Sequence, residues 1–197
     1  MKPIYFSLSR VEEEENKNLD RSKLLGIPVC PAGFLDDKLD EEDYYIGQIN
    51  LEEIAKFESP LPKKGFLYFF VNVDTYGAKV LYTDEEPTEA IADINASFDE
   101  IAYGSTKALY MDFDEDLDEG CCLFSDQLED LDLQVILSDK DYQLLLLLDS
   151  LFMPECEERA LLFADLAPYD GFYVFAAKGK DIKNKDFSKV RFIDWGD

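Results

Sequence analysis

Two stretches of this chain spell nearly the same pair of strands. GFLYFFV at residues 65–71 is followed by AKVLYT, and GFYVFAA at 171–177 is followed, after a longer loop, by FSKVRFI. Each stretch opens on a glycine, where the missing Cβ permits a tight entry into the strand. FLYFFV has almost no polar interruption, the pattern of a strand covered on both faces. Lys79-Val80-Leu81-Tyr82-Thr83 alternates and is predicted to pair beside it, with Asp74-Thr75-Tyr76-Gly77 as the turn. In the second copy Lys178-Gly179 and the polar DIKNKD segment make a longer loop before Phe187 to Ile193.

The parallel extends upstream. YYIGQINLEEI (44–54) precedes the first glycine and YQLLLLLDSLF (142–152) the second, each with an apolar run that gives way to a polar residue, at Ile49-Asn50 and Leu148-Asp149. LLGIP (24–28) corresponds more weakly to GCCLF (120–124). Matching pieces in one order imply a divergent internal duplication with a period of about 105 residues. The halves are expected at about 20–104 and 105–197, within a single domain covering residues 1–197 and around one shared core.

Helices are expected to be few. Asn50 followed by Glu53 has capping-box spacing, with Leu51, Ile54, Ala55 and Phe57 behind it and Pro60 as the stop. Thr88–Ile101 places Ala90, Ile91, Ile94, Phe98 and Ile101 on one stripe, with Glu89, Asp93 and Glu100 facing water. Ser125–Leu133 is a candidate for a further short helix. The five leucines Leu144–Leu148 fit helix or strand by period alone, and the parallel with YIGQINL favours strand. The expected class is α+β: largely antiparallel sheets with a few helices on their face, in two related halves.

LLGIPVCP (24–31), GQINLEEI (47–54), LPKKGFLYFF (61–70), LLLLLDS (144–150), DGFYVF (170–175) and KDFSKVRFIDW (185–195) occur in this order. Together they resemble the YwqG-like family of uncharacterised bacterial proteins. The resemblance implies an α+β fold with related halves and brings no established activity.

Composition limits the chemistry. The chain has no histidine, which excludes a Ser-His-Asp triad, a Cys-His pair and imidazole metal ligands. An enzyme would have to use carboxylates, Lys, Tyr or Cys. No P-loop, dinucleotide-binding glycine motif or nucleophile elbow is present. The four cysteines, Cys30, Cys121, Cys122 and Cys156, form no C-x-x-C pair and read as reduced structural thiols. No cofactor is expected. Residues 1–15 lack a basic flank followed by an apolar stretch, and the longest apolar run is far too short to span a bilayer, so the expectation is a cytoplasmic protein.

The net charge is −25, from 44 acids against 19 bases. Phosphate backbones and anionic membranes would be repelled, whereas a cationic protein would be steered in. The acids cluster. DDKLDEED (36–43) holds Asp36, Asp37, Asp40, Glu41 and Glu42, and DFDEDLDE (112–119) holds Asp112, Asp114, Glu115, Asp116, Asp118 and Glu119. A third cluster is DEEPTE (84–89). The 112–119 run fits no standard metal motif: an EF-hand loop needs glycine at its sixth position, which here is Leu117. These clusters read as solvated loops or, if the fold gathers them, as a surface for a basic protein. Gln48, Asn50, Asp149 and Asp170 are the polar residues set within the repeated apolar segments. They read either as caps and turns or as the lining of a pocket between the halves. The leading functional expectation is therefore an acidic protein-binding module, in its sharpest form an immunity-type or inhibitory partner of a cationic protein. The alternative is an enzyme or small-ligand protein using an inter-half cleft.

Overall fold

The computed structural model describes residues 4–11, 18–59, 61–72, 74–75, 77–92, 94, 108–114, 121–123, 158–165 and 171–196. The strands are β1 (Ile4–Arg10), β2 (Lys23–Leu24), β3 (Val29–Cys30), β4 (Asp43–Asn50), β5 (Phe66–Asn72), β6 (Gly77–Thr83) and β7 (Glu89–Ala90). They continue as β8 (Leu109–Phe113), β9 (Cys121–Leu123), β10 (Glu158–Asp165), β11 (Gly171–Lys178) and β12 (Arg191–Gly196). Among the described residues the α-helix is a five-residue one, α1 (Gly179–Lys183), which follows β11. The fold is mainly β, not the expected α+β.

Ten strands form one antiparallel sheet in the order β12-β11-β10-β9-β1-β8-β2-β4-β5-β6, and β3 pairs with β7 as a separate ribbon. The sheet rolls until its two end strands, β6 and β12, lie close together. Its inner face makes one core that draws Ile4 and Phe6 from β1, Leu24 from β2, Ile46 and Ile49 from β4, and Leu67, Phe69 and Val71 from β5. Val80, Met111, Phe175 and Phe192 complete it from β6, β8, β11 and β12. The rings of Phe69 and Phe175 meet edge-on with centroids 5.0 Å apart. On the outer face Tyr45, Phe66, Tyr68 and Phe70 pack under Cys30 and Leu35. β5 is therefore buried on both sides, as its apolar run requires.

Curvature has a local source. The β4–β5 register shifts between Tyr45 and Gly47, and the β10–β11 register shifts between Ala160 and Leu162. Such bulges bend a strand and increase its twist. Gly47 sits where β2 crosses β4 so closely that a Cβ would come 2.5 Å from the Lys23 carbonyl oxygen.

Two predicted helices give way to other structure for identifiable reasons. After Asn50 the chain makes successive tight turns, with Glu53, Ala55 and Phe57 each donating a backbone N–H to the carbonyl three residues back. A capping box needs the Glu53 carboxylate on the Asn50 N–H. Here Ser22 takes both groups: the Asn50 N–H donates to Ser22 Oγ at 2.9 Å, and Glu53 Oε2 accepts the Ser22 N–H at 3.1 Å. The predicted helix at Thr88–Ile101 begins instead as strand β7, because the Thr88 N–H donates to the Cys30 carbonyl and Ala90 pairs with Val29. Residues 95–101, 125–133 and 142–152 lie outside the described residues. The strand that pairs with β11 on the side away from β12 is β10, a segment the sequence reading did not single out.

Gly65 has φ of +92°, and a Cβ there would sit 2.2 Å from the Thr83 carbonyl oxygen. Its own carbonyl accepts the Leu51 N–H at 2.9 Å. Gly65→Ala combines left-handed strain with a backbone clash and should destabilise the fold by about 3 kcal/mol. A urea midpoint unchanged from wild type would contradict this geometry.

Candidate functional site

The outer face of the β2–β4–β5 region carries the polar residues of interest. Lys23 and Gln48 are paired neighbours across β2 and β4, and both are fully buried. Gln48 is anchored by its surroundings. Its Oε1 accepts the Val29 N–H at 3.1 Å and the Tyr45 hydroxyl at 3.3 Å, and its Nε2 donates to the carbonyls of Leu19 and Arg21, both at 3.0 Å. A buried amide has few places to go, and this one pins residues 19–29 onto the sheet. Asn50 does related work: Oδ1 accepts the Glu52 N–H at 3.1 Å and Nδ2 donates to the Asp20 carbonyl at 3.2 Å. Both side chains hold backbone: Gln48 from within β4, and Asn50 at the turn that follows it. Asp149 and Asp170 lie outside the described residues.

Beside them Arg21 gathers three side chains. Its guanidinium donates to Asp112 Oδ1 at 2.7 Å, comes within 3.9 Å of Glu53 and lies over the Tyr110 ring at 4.7 Å. Ser9 on β1 donates to the other Asp112 oxygen at 2.6 Å. Burial raises the Asp112 carboxyl, but the Ser9 and Arg21 hydrogen bonds outweigh it and leave its pKa below the ordinary value. For Glu53 burial prevails over the bonds from Ser22 and the Arg21 charge, and its pKa is raised. Asp112, the first acid of the 112–119 run, is thus a cross-strand tie. Asp114 is exposed, and Glu115, Asp116, Asp118 and Glu119 lie outside the described residues. Among the described residues no three Asp, Glu or Cys side chains are placed to hold a metal ion.

The other two acidic segments come together. The β3–β7 ribbon carries residues 84–90 against residues 28–33, through Thr88 N–H to Cys30 O at 2.9 Å and Ile91 N–H to Pro28 O at 3.0 Å. Glu89 Oε1 accepts the Gly33 N–H at 3.1 Å, and Thr88 Oγ1 accepts the Ala32 N–H at 2.9 Å. Residues 33–38 form consecutive tight turns anchored by buried Leu35, with Asp37 in the left-handed region at φ of 58°. Asp36, Asp37, Asp40 and Glu41 are exposed here and Glu42 is half-buried, while Asp84, Glu85, Glu86 and Glu89 are exposed on the strap. Cys30, a free thiol under this roof, has its pKa raised to about 11 by burial and by the charges of Glu89 and Asp36. Both acidic segments therefore act on one point. The described part of the 112–119 run is tied through Asp112 to Arg21 and Ser9 instead.

The acidic loop is fastened at its far end by Asp43, which is buried at the start of β4. Asp43 pairs with Lys79 of β6 and accepts from Asn72 of β5 at 3.1 Å. Lys79 also reaches Asp40 at 3.2 Å and the Lys38 carbonyl at 2.9 Å. Nothing in the sequence pattern marks this tie or the Arg21 cluster; the partners are far apart in the chain and carry no periodic signal.

These features define a class: a mainly-β acidic protein whose rolled sheet is roofed on its outer face by an ordered, negatively charged loop. Residues 22–131 match the family model described as Domain of unknown function (DUF1963), and the chain belongs to that family. The match takes in the acidic loop, residues 84–90, Gln48 and the Glu53, Tyr110 and Asp112 partners of Arg21, and begins one residue after Arg21 itself. No curated protein matches the sequence.

Two predictions follow from the ties. Burial raises the Asp43 carboxyl, but hydrogen bonds from the Asp40 N–H, Lys79 and Asn72 outweigh it and lower the pKa. Ionised Asp43 thus stabilises the fold above the ordinary carboxylate pKa, and that contribution is lost as pH falls through the lower folded-state value. Lys79 keeps part of its surface in water, so Asp43→Asn should cost about 2 kcal/mol at pH 7. The difference in urea midpoint from wild type should shrink towards pH 3, and a constant difference would refute the assignment. Gln48→Leu leaves the Val29 N–H and two carbonyls without their side-chain partner and should cost about 2 kcal/mol, together with faster proteolysis within residues 18–30.

Proposed function

We propose that this protein is a binding module for a cationic protein, acting in the cytoplasm, in its sharpest form as an immunity-type or inhibitory partner. One observation carries the reading: the β3–β7 ribbon sets Glu89, the last acid of 84–89, against Gly33 at the entry to the acidic 36–42 loop. The loop is held by backbone turns, by Leu35 and by the Asp43–Lys79 tie, so its charges are presented without first having to be ordered. Such a surface acts mainly by accelerating encounter with positive charge. Among the described residues no helix is long and apolar enough to cross a membrane. Within the DUF1963 family we place the chain in the YwqG-like group, supported by the six ordered segments from LLGIPVCP to KDFSKVRFIDW.

The test is retention of a basic protein from the source cell on immobilised full-length protein at low salt. Wild type should retain one, and the charge-reversed variant with Asp36, Asp37, Asp40 and Glu41 all changed to Lys should lose it. With that partner purified, the association rate should fall at least about tenfold in the variant and decline with salt in wild type. Retention of nothing, or equal retention by both forms, counts against the proposal.

A further inference from the structure

We infer that the chain is an exchanged-strand pseudo-dimer: two copies of a five-strand unit, β1-β2-β4-β5-β6 and β8-β9-β10-β11-β12, each lending its first strand to the other's sheet. This goes beyond the binding proposal and does not depend on it. The inference rests on register, followed inward from both ends of the sheet.

Placing Gly65 on Gly171 puts Phe69 on Phe175 and Phe70 on Ala176. The β4 bulge then lies opposite Phe70 and Phe69, and the β10 bulge lies opposite Ala176 and Phe175. Both units are thus bent at the same place. The third strands agree: Val80 faces Phe69 and Phe192 faces Phe175, while Lys79 faces Phe70 and Arg191 faces Ala176. One residue beyond each bulge stand Gln48 and Phe163. The first pairs with Lys23 of β2 and the second with Cys122 of β9. Lys23 in turn faces Tyr110 of β8, and Cys122 faces Tyr5 of β1.

Tyr5 and Tyr110 are therefore equivalent, at the spacing of about 105 residues that separates the two glycines. Equivalence here has a sharp consequence. β8, the first strand of the second unit, pairs with β2 of the first, and β1 of the first unit pairs with β9 of the second. The β1–β8 seam must then map onto itself. It does: Phe6↔Phe113 becomes Met111↔Leu8, which is also a pair, and Ser7↔Asp112 is its own image. A pseudo-two-fold axis relating the units would pass midway between Ser7 and Asp112. It also explains why Phe69 and Phe175, equivalent residues, touch each other in the core. The exchange of identical elements between two copies is how strand-swapped dimers form; here one chain carries both copies. In this register β4 corresponds to β10, so Gly47 matches Leu162, and the 144–148 leucine run is not its counterpart.

Two measurements on the full-length protein test this. In a crystal structure, the rotation that places β4–β6 on β10–β12 should be close to 180° and should carry β1 onto β8 and β8 onto β1. A rotation that superposes the three-strand sets and misplaces β1 overturns the exchange. Hydrogen exchange across a urea series reads the intertwining. Peptides from β1, β8, β4–β6 and β10–β12 should lose protection at one urea concentration, and Phe6→Ala should lower that concentration equally for both outer sets. Loss of β10–β12 protection while β4–β6 stays protected would show separable halves and defeat the inference.

Discussion

Phe69 and Phe175 meet in the middle of a rolled sheet, and the rest of the architecture is arranged to bring them there. Each sits in the central strand of a three-strand set, and each is opposed by a bulge that bends the set inward. Without those two extra residues the ten-strand order would stay more open, and the apolar faces of β5 and β11 would have less to pack against. The bend at Gly47 serves a second purpose: it admits β2 close enough to lay Leu24 into the core and Lys23 beside Gln48.

A net charge of −25 works against compactness through self-repulsion. The molecule offsets this by spending basic side chains internally. Arg21 joins Asp112 and Glu53, Lys79 joins Asp40 and Asp43, and Lys189 joins Asp186. The Arg21 and Lys79 ties hold separate strands and loops together and the Lys189 pair braces the turn before β12, while the exposed acids of residues 36–41 and 84–89 stay on the outside. The same allocation that stabilises the fold leaves these exposed acids facing water.

Much of the strand content was legible. β5, β6 and β11 follow from apolar and alternating runs, and the turn between Asn72 and Gly77 from its residues. β10 was not, because GluArgAlaLeuLeuPheAlaAsp is rich in residues that favour helix as readily as strand when read alone. The turns after Asn50 and the strand at Glu89–Ala90 were missed for another reason. Ser22 and Cys30 capture the groups that helices would have used, and such long-range competition leaves no local trace. For the candidate site, the charge of 36–42 and 84–89 could be read directly, but their meeting depends on the ribbon. Gln48 and Asn50 stood out as polar residues in apolar surroundings; that they hold the carbonyls of Leu19, Arg21 and Asp20 required coordinates.

GFLYFFV and GFYVFAA have the apolar, β-favouring and uncharged composition suited to stacking into cross-β fibres. Each supplies a central strand, β5 between β4 and β6, and β11 between β10 and β12, so their backbone groups are satisfied on both sides. Fibre growth from the native protein therefore has to wait until β6 or β12 peels away. Because those two strands lie against each other, each guards the other's segment as well as its own.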